Sequence, residues 1–338
     1  MRVNGLNNYE KSQICVVADK KLIRHPVFEQ AQELHSLPVL WLDVNETNKS
    51  LETVTRIWDF LFEHAITRRG LLVCVGGGVL TDMGGFAAAT YKRGIDYINI
   101  PTTLLAMIDA SSGGKTGLNY HGLKNAIGAF AAPKDTLVWP EWLATLSAPQ
   151  FLSGFGEMLK TGLIERTDLW DKLLRYDLDT MPIAPLKPLI SDCLAVKARV
   201  VEEDPHETGL RKVLNLGHTF GHALEEMSLQ QSDESRHMLH GYAVVYGLIA
   251  ELYLSVILSG CPKAPLQQLT QLMLHYYGRP DCKCSDREQL VALMLQDKKN
   301  DHANEINCTL LRDIGQPVVN QPVTVAEANE AWDYLFSL

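Results

Sequence analysis

Two histidines four residues apart, His218 and His222, stand in the run Leu-Asn-Leu-Gly-His-Thr-Phe-Gly-His-Ala at 214–223, and His240-Gly241 follows soon after. On a helix, side chains at i and i+4 share a face with Cβ atoms roughly 5–6 Å apart. That separation suits two imidazoles gripping one divalent cation, with a third imidazole or a carboxylate completing the site. The alternative is a pair of core or surface histidines that merely fall four apart.

A second group of residues has the equipment for anions. Leu71–Val75 runs directly into Gly76-Gly77-Gly78, followed by Asp82 and Gly84-Gly85. Glycines after a strand let the backbone come close to a ligand, and the N–H groups opening the next helix favour phosphate. The spacing differs from the usual G-x-G-x-x-G of dinucleotide sites, and a tight turn without a ligand would also explain it. Further on, Asp109-Ala-Ser-Ser-Gly-Gly-Lys-Thr-Gly117, Asn119 and Lys124-Asn125 crowd hydroxyls, bare N–H groups and ammonium charge into a non-helical stretch, which suits phosphate and polyol oxygens. Gly113-Gly114-Lys115-Thr116 has the look of a P-loop, but the earlier glycine that motif requires falls at Asp109, which disfavours a nucleoside triphosphatase.

These groups need elements to hold them. Residues 13–18, 39–42, 71–75 and 97–100 are short, branched apolar runs that read as buried strands, separated by stretches such as 51–64 with helical spacing. Strand–helix alternation implies a parallel sheet flanked by helices. Past about 145 helical patterns take over, at 154–164, 186–202, 218–227, 241–258, 265–277 and 287–296, broken by one late strand at 305–311. The expected fold is therefore an α/β dinucleotide-binding domain over 1–143 and a mainly helical metal- and substrate-binding domain over 144–338. Pro182–Pro188 and Gln230–His237 read as loops inside the second domain.

Composition narrows the partners. Of 338 residues, 46% are hydrophobic and 21% charged, an ordinary globular balance. A net charge of −9 argues against nucleic acid, although an anionic substrate can still enter a locally basic pocket. The absence of an 18-residue apolar run predicts no membrane span, and the N-terminus lacks the apolar segment of a secretory signal. Seven scattered cysteines make no disulfide framework, and Cys282-x-Cys284 has no second pair; free thiols in the cytoplasm are the expectation.

In this order along one chain, the motifs resemble the sugar phosphate cyclase family and, within it, the 3-dehydroquinate synthases. The resemblance runs from Glu46-x-x-Lys49 through Gly76–Asp82, Arg93-Gly94, Pro101–Asn125, Gly156-Glu157 with Lys160, Lys197, and Glu207–His222 to His240-Gly241 and Asp297-Lys298-Lys299. It implies conversion of 3-deoxy-D-arabino-heptulosonate 7-phosphate to 3-dehydroquinate and phosphate, a step of the shikimate pathway to aromatic amino acids. The route would be transient NAD-dependent oxidation, phosphate elimination, re-reduction and intramolecular aldol cyclisation, in a cytoplasmic homodimer with no nucleic-acid or membrane partner.

By the same resemblance Glu157, His218 and His240 would bind zinc or cobalt, with His237 as the competing third ligand. His222, Lys115, Asn125 and Lys298 (or Lys299) would bind the phosphate, with Arg93 reaching in from a second subunit. Lys197 and Arg211, the latter lining a wet cleft, would pair with the substrate carboxylate; Asp109, Lys160, Glu207 and Asn215 would orient hydroxyls and ligands. NAD would contact Gly76, Gly77, Gly78, Asp82, Thr102, Thr103, Lys115 and Lys124, with Glu46 and Lys49 near its adenosine half. No strong side-chain base for the C6 proton is evident, and the resemblance implies that the leaving phosphate takes it. Ser112, Gly122-Leu123, Trp139 and Ser147 depart from family habit without removing a chemical group. The rivals are a cyclase of carboxylate-free sugars, disfavoured by Arg211, Asn215 and Lys298, and a metal-dependent NAD polyol dehydrogenase. Lys115, Lys124, Lys160 and Lys197 argue against the latter, since a neutral polyol gives so many ammonium groups no partner. A non-catalytic descendant would have lost ligands, and none is missing.

Overall fold

The computed structural model describes residues 3 and 5–338 apart from 112, 122, 167, 232, 234–236 and 297–304. It divides into two compact units, Met1–Leu146 and Ser147–Leu338.

In the first unit the chain forms β1 (Ile14–Asp19), β2 (Val39–Leu42), α1 (Leu51–Glu63), β3 (Leu71–Gly76), α2 (Gly78–Thr90) and β4 (Asp96–Pro101). After them come β5 (Lys115–Tyr120), β6 (Leu123–Phe130) and the short β7 (Asp135–Thr136). The four apolar runs do become strands of one parallel sheet, in the order β2-β1-β3-β4-β7. Every residue of β3 is buried, as a central parallel strand covered on both faces requires. Ser50 caps α1 by accepting from the Thr53 N–H, and Val54, Ile57 and Leu61 form its buried stripe. A Cβ on Gly84 of α2 would stand 2.4 Å from Cys74 Sγ, so this glycine lets α2 lie directly on β3.

From β1 the sheet grows one way to β2 and the other way to β3. A reversal of this kind opens a crevice at the carboxyl ends of the strands, where Gly76–Gly78 leave β3. Of the Ser/Gly/Lys-rich stretch expected to be non-helical, Asp109 and Ala110 instead close a π-helical turn, and from Lys115 on the chain forms an antiparallel hairpin of β5 and β6 with an irregularity between Leu118 and Tyr120. Tyr120, Leu123, Ile127 and Phe130 are exposed on it, so no period-two burial pattern marks these strands in the sequence.

The second unit contains α3 (Ala148–Ile164), α4 (Ile183–Glu203), α5 (His218–Leu229), α6 (His240–Ser259), α7 (Lys263–Tyr276) and α8 (Arg287–Leu295). The chain ends in the antiparallel hairpin of β8 (Ile306–Leu311) and β9 (Pro317–Val323), then α9 (Val325–Ser337). The proline-rich stretch 182–188 is not a loop: α4 begins at Ile183 and carries Pro188 inside it. Pro185 falls in the first turn, where no intrahelical N–H bond is lost, and the roughly 3 kcal/mol cost of Pro188 is offset by burial of Leu186, Leu189, Ile190 and Cys193, each worth about 1.5–3 kcal/mol for a large apolar side chain. By length and composition α6 could cross a bilayer, but 72% of its most apolar window is buried inside the protein. All seven cysteines are free thiols.

Candidate active site

Within the first unit, Gly77 precedes α2 in an extended conformation with no side-chain cap, an arrangement that suits an anionic ligand at the opening of that helix. The Thr102 N–H donates to the Gly76 carbonyl at 3.0 Å, and Thr103 Oγ1 accepts from Ala106 N. Beside this loop a polar network forms. Lys49 Nζ lies 2.5 Å from Asp82 Oδ2 and 2.5 Å from Asn125 Oδ1, and Lys49 is only 4% exposed. Asn119 donates from Nδ2 to Glu46 Oε1 and accepts the Asn125 N–H. Burial holds the Asp82 carboxyl above its ordinary range even with the Lys49 ammonium against it. Glu46, Lys49, Asp82 and Asn125 thus share one cluster that Asn119 ties together.

Asp109 lies in a single π-helical turn, Ala106–Ala110, a backbone irregularity frequent at functional sites. Lys115 opens β5 and Lys124 is second in β6. Arg93 has φ 70° between Lys92 at 48° and Gly94 at 114°, three successive left-handed residues of which two pay a steric cost.

The densest chemistry is in the second unit. Glu157 and Lys160 lie one turn apart on α3, both about 2% exposed and in direct contact. His218 is the first residue of α5 and His240 the first of α6. Their Nε2 atoms approach Glu157 Oε1 at 3.4 and 3.2 Å, and the ligand atoms of all three residues lie within 4.8 Å of one another. Around one tetrahedral ion with bonds of about 2.0–2.1 Å, ligand atoms stand roughly 3.3 Å apart, so this donor set fits a divalent cation. Each imidazole is also turned the right way, because Nδ1 of His218 faces the Leu216 carbonyl at 3.1 Å and Nδ1 of His240 faces Glu225 Oε2 at 3.0 Å. An Nδ1–H donated in that manner leaves Nε2 as the ligand atom.

Electrostatics agree with that use. Burial and the Lys160 ammonium push the His218 imidazole down to about 3, leaving it neutral. Burial opposes charge on His240 too, but Glu225 and Glu157 outweigh it and raise the imidazole to about 10. Burial alone would raise Glu157, yet Lys160 and the two imidazoles hold it well below the carboxylate range. The result is a fixed carboxylate, one free imidazole lone pair and one proton that a cation would displace.

His222 stacks edge-on against His218 with ring centroids 5.1 Å apart, whereas Nε2 of His237 is 3.1 Å from the Gln231 carbonyl. Asp204 organises the neighbouring loop: its carboxylate accepts the N–H groups of Thr208, Gly209 and Arg211, which outweigh burial and hold it down to about 2. That loop carries Glu207, which accepts from Asn215 Nδ2 at 2.8 Å. Arg211 does not line a wet cleft as expected; it is 3% exposed, and Nη1 donates to the Pro205 carbonyl at 2.8 Å. Lys197, on α4, is 8% exposed. Asp297, Lys298, Lys299, Ser112 and Gly122 lie outside the described residues. Sequence reasoning missed Glu225, although seven residues past His218 is two helical turns and hence the same face.

The family model of the 3-dehydroquinate synthase N-terminal region matches residues 39–153, and that of the C-terminal region matches 154–300. A 3-dehydroquinate synthase of Parabacteroides distasonis is 42% identical over 96% of this chain and 91% of its own length. Among solved structures, 2-epi-5-epi-valiolone synthase from Streptomyces hygroscopicus, with NAD+ and Zn2+ bound, aligns at a TM-score of 0.82 and 27% identity, covering 100% of this chain and 96% of that one. A 2-deoxy-scyllo-inosose synthase complexed with carbaglucose-6-phosphate, NAD+ and Co2+ shares the fold at a TM-score of 0.80 and 24% identity, over 96% and 92% of the two chains. With both family models matched in order across the two units, the chain belongs to the 3-dehydroquinate synthase family.

Proposed function

We propose that the chain converts 3-deoxy-D-arabino-heptulosonate 7-phosphate to 3-dehydroquinate and inorganic phosphate, with NAD and one zinc or cobalt ion as cofactors. The observation that carries this reading is the convergence of Glu157, His218 and His240, each imidazole fixed through Nδ1, in a chain of this family. A divalent ion held by these three residues supplies a Lewis acid for substrate hydroxyls. Bound NAD supplies a reversible hydride acceptor, for which the Gly76–Gly78 loop, Asp82, Thr102 and Thr103 are the proposed contacts.

The remaining work falls to this chain's own side chains. In the first unit Lys115, Lys124 and Asn125 offer donors to anionic oxygens, and Asp109 orients hydroxyls. In the second, His222 takes phosphate oxygens, Lys160, Glu207 and Asn215 hold hydroxyls and ligands in place, and Lys197 with Arg211 faces the carboxylate. Cationic donors on a carboxylate are worth about twice a neutral hydrogen bond. A cytoplasmic homodimer without nucleic-acid or membrane partners fits the net charge of −9. The strained turn at Arg93 and the exposed apolar residues of the β5–β6 hairpin are the features that would face a second copy.

The hydride is returned within each turnover, so substoichiometric NAD should support many rounds of phosphate release with no lasting rise in NADH absorbance. NADH accumulating in step with product would move the assignment to a dehydrogenase. Sedoheptulose 7-phosphate, which lacks the carboxylate, should be turned over poorly, and equal efficiency on both sugars would point to another cyclase.

Arg211→Ala should lower kcat/KM on the carboxylated substrate by roughly tenfold or more. Because Arg211 is buried and bonded to Pro205, the same change should also destabilise the fold by about 1–3 kcal/mol. Urea denaturation beside steady-state kinetics checks both parts, and unchanged kinetics on the carboxylated sugar would remove Arg211 from the carboxylate site.

A further inference from the structure

Glu251 sits in the middle of α6, the most apolar of the helices among the described residues, with no exposed surface at all. Its carboxylate accepts the Gly217 N–H at Oε2 (2.6 Å) and the Thr219 N–H at Oε1 (3.1 Å). Those are the cap residue and second residue of α5, whose first residue, His218, lies between them. Gly217 has no side chain with which to cap the helix and sits at φ 81°, so the donors that open α5 depend on a group from elsewhere. The group comes from α6, the same helix whose first residue is His240. Both imidazoles that face Glu157 are therefore joined through one buried carboxylate that grips the backbone on either side of His218.

We propose that Glu251 is a positioning residue for the metal site, fixing the backbone that carries His218 relative to the helix that carries His240. It touches neither the ion nor the substrate. The carboxylate offers a separate oxygen to each of the two N–H donors, whereas in the same pose the NH2 of glutamine would meet one of them donor to donor. The inference rests on the metal reading above.

Zinc dissociation constants, measured by competition with a chromophoric chelator, and the visible spectrum of the Co2+-loaded protein test it. Glu251→Gln and Glu251→Asp should weaken zinc binding by roughly tenfold to a hundredfold, as losses of outer-shell support do, and should shift or weaken the cobalt bands. Leu254→Ala, a buried truncation one turn along α6, should lower stability while leaving the zinc constant and cobalt bands as in the wild type. Wild-type zinc affinity and cobalt bands in Glu251→Gln would overturn the inference. A wild type that retains no zinc would instead overturn the metal reading itself, and this inference with it.

Should neither Glu251 variant fold, amide exchange at Thr219 in the wild type decides the matter. Coupling is reciprocal, so zinc should slow exchange there, and equal exchange with and without zinc would count against the role.

Discussion

His218→Ala should remove tightly bound metal and activity together. The residue opens α5, is 8% exposed, and points Nε2 at Glu157 Oε1 while Nδ1 is held by the Leu216 carbonyl. Alanine leaves one carboxylate and one imidazole, fewer than the three protein ligands of a catalytic zinc site. Loss of Lewis-acid stabilisation worth several kcal/mol corresponds to a fall in kcat on the order of a thousandfold. The fold should survive, since the stranded Leu216 carbonyl costs only about 1–3 kcal/mol. Elemental analysis of the purified variant, beside phosphate release with and without added zinc, tests the assignment. Stoichiometric zinc in the variant would refute it.

The parts of this site that the sequence exposes are those with short-range signatures. The parallel strands show as branched apolar runs because burial on both faces leaves no room for polar residues, and His218 with His222 shows because one helical turn separates them. Glu157 has no such signature: it lies 83 residues from His240, and only resemblance to a family brings it into the ligand set. Glu225 was legible in principle from its spacing to His218. Glu251 shows only as a lone carboxylate in an apolar helix, and its purpose depends on a partner more than thirty residues away. Local punctuation misled at Pro182–Pro188, where one prolyl penalty is small beside four buried side chains. The β5–β6 hairpin stayed hidden because Tyr120, Leu123, Ile127 and Phe130 are exposed while Leu118 is buried, which leaves no regular alternation; α9 does carry a local signature, the capping box of Thr324 and Glu327 at its start.

Gly247→Ala should damage both the fold and the metal site, against the sign that helix propensity gives. Inside a helix alanine is better than glycine by about 0.8–1 kcal/mol, so propensity alone predicts a gain. A Cβ at position 247, however, would stand 1.9 Å from the Gly217 carbonyl oxygen and 2.7 Å from Gly221 N. Both are backbone atoms of α5 or its cap, with no flexible side-chain end to give way. On the other side, a Cβ on Gly221 would meet the Ala243 carbonyl oxygen at 2.9 Å, so α5 and α6 approach each other backbone to backbone. To admit the methyl the helices must separate by roughly an ångström, and overpacking of this kind costs 1–3 kcal/mol or more. The shift also matters for chemistry, because Gly217 adjoins His218 and α6 begins with His240, and metal–ligand distances tolerate only about 0.2 Å. Zinc affinity should therefore fall at least tenfold, with a lower urea midpoint in the metal-free protein. Gly260→Ala is the control: it is also a glycine, at φ 71° but with nothing within 4 Å of its added Cβ, so it should cost about 1 kcal/mol through backbone strain and leave zinc affinity alone. A Gly247→Ala protein as stable as the wild type, with unchanged zinc affinity, would show that the two helices can part without disturbing the ligands and that their close packing does not set the site.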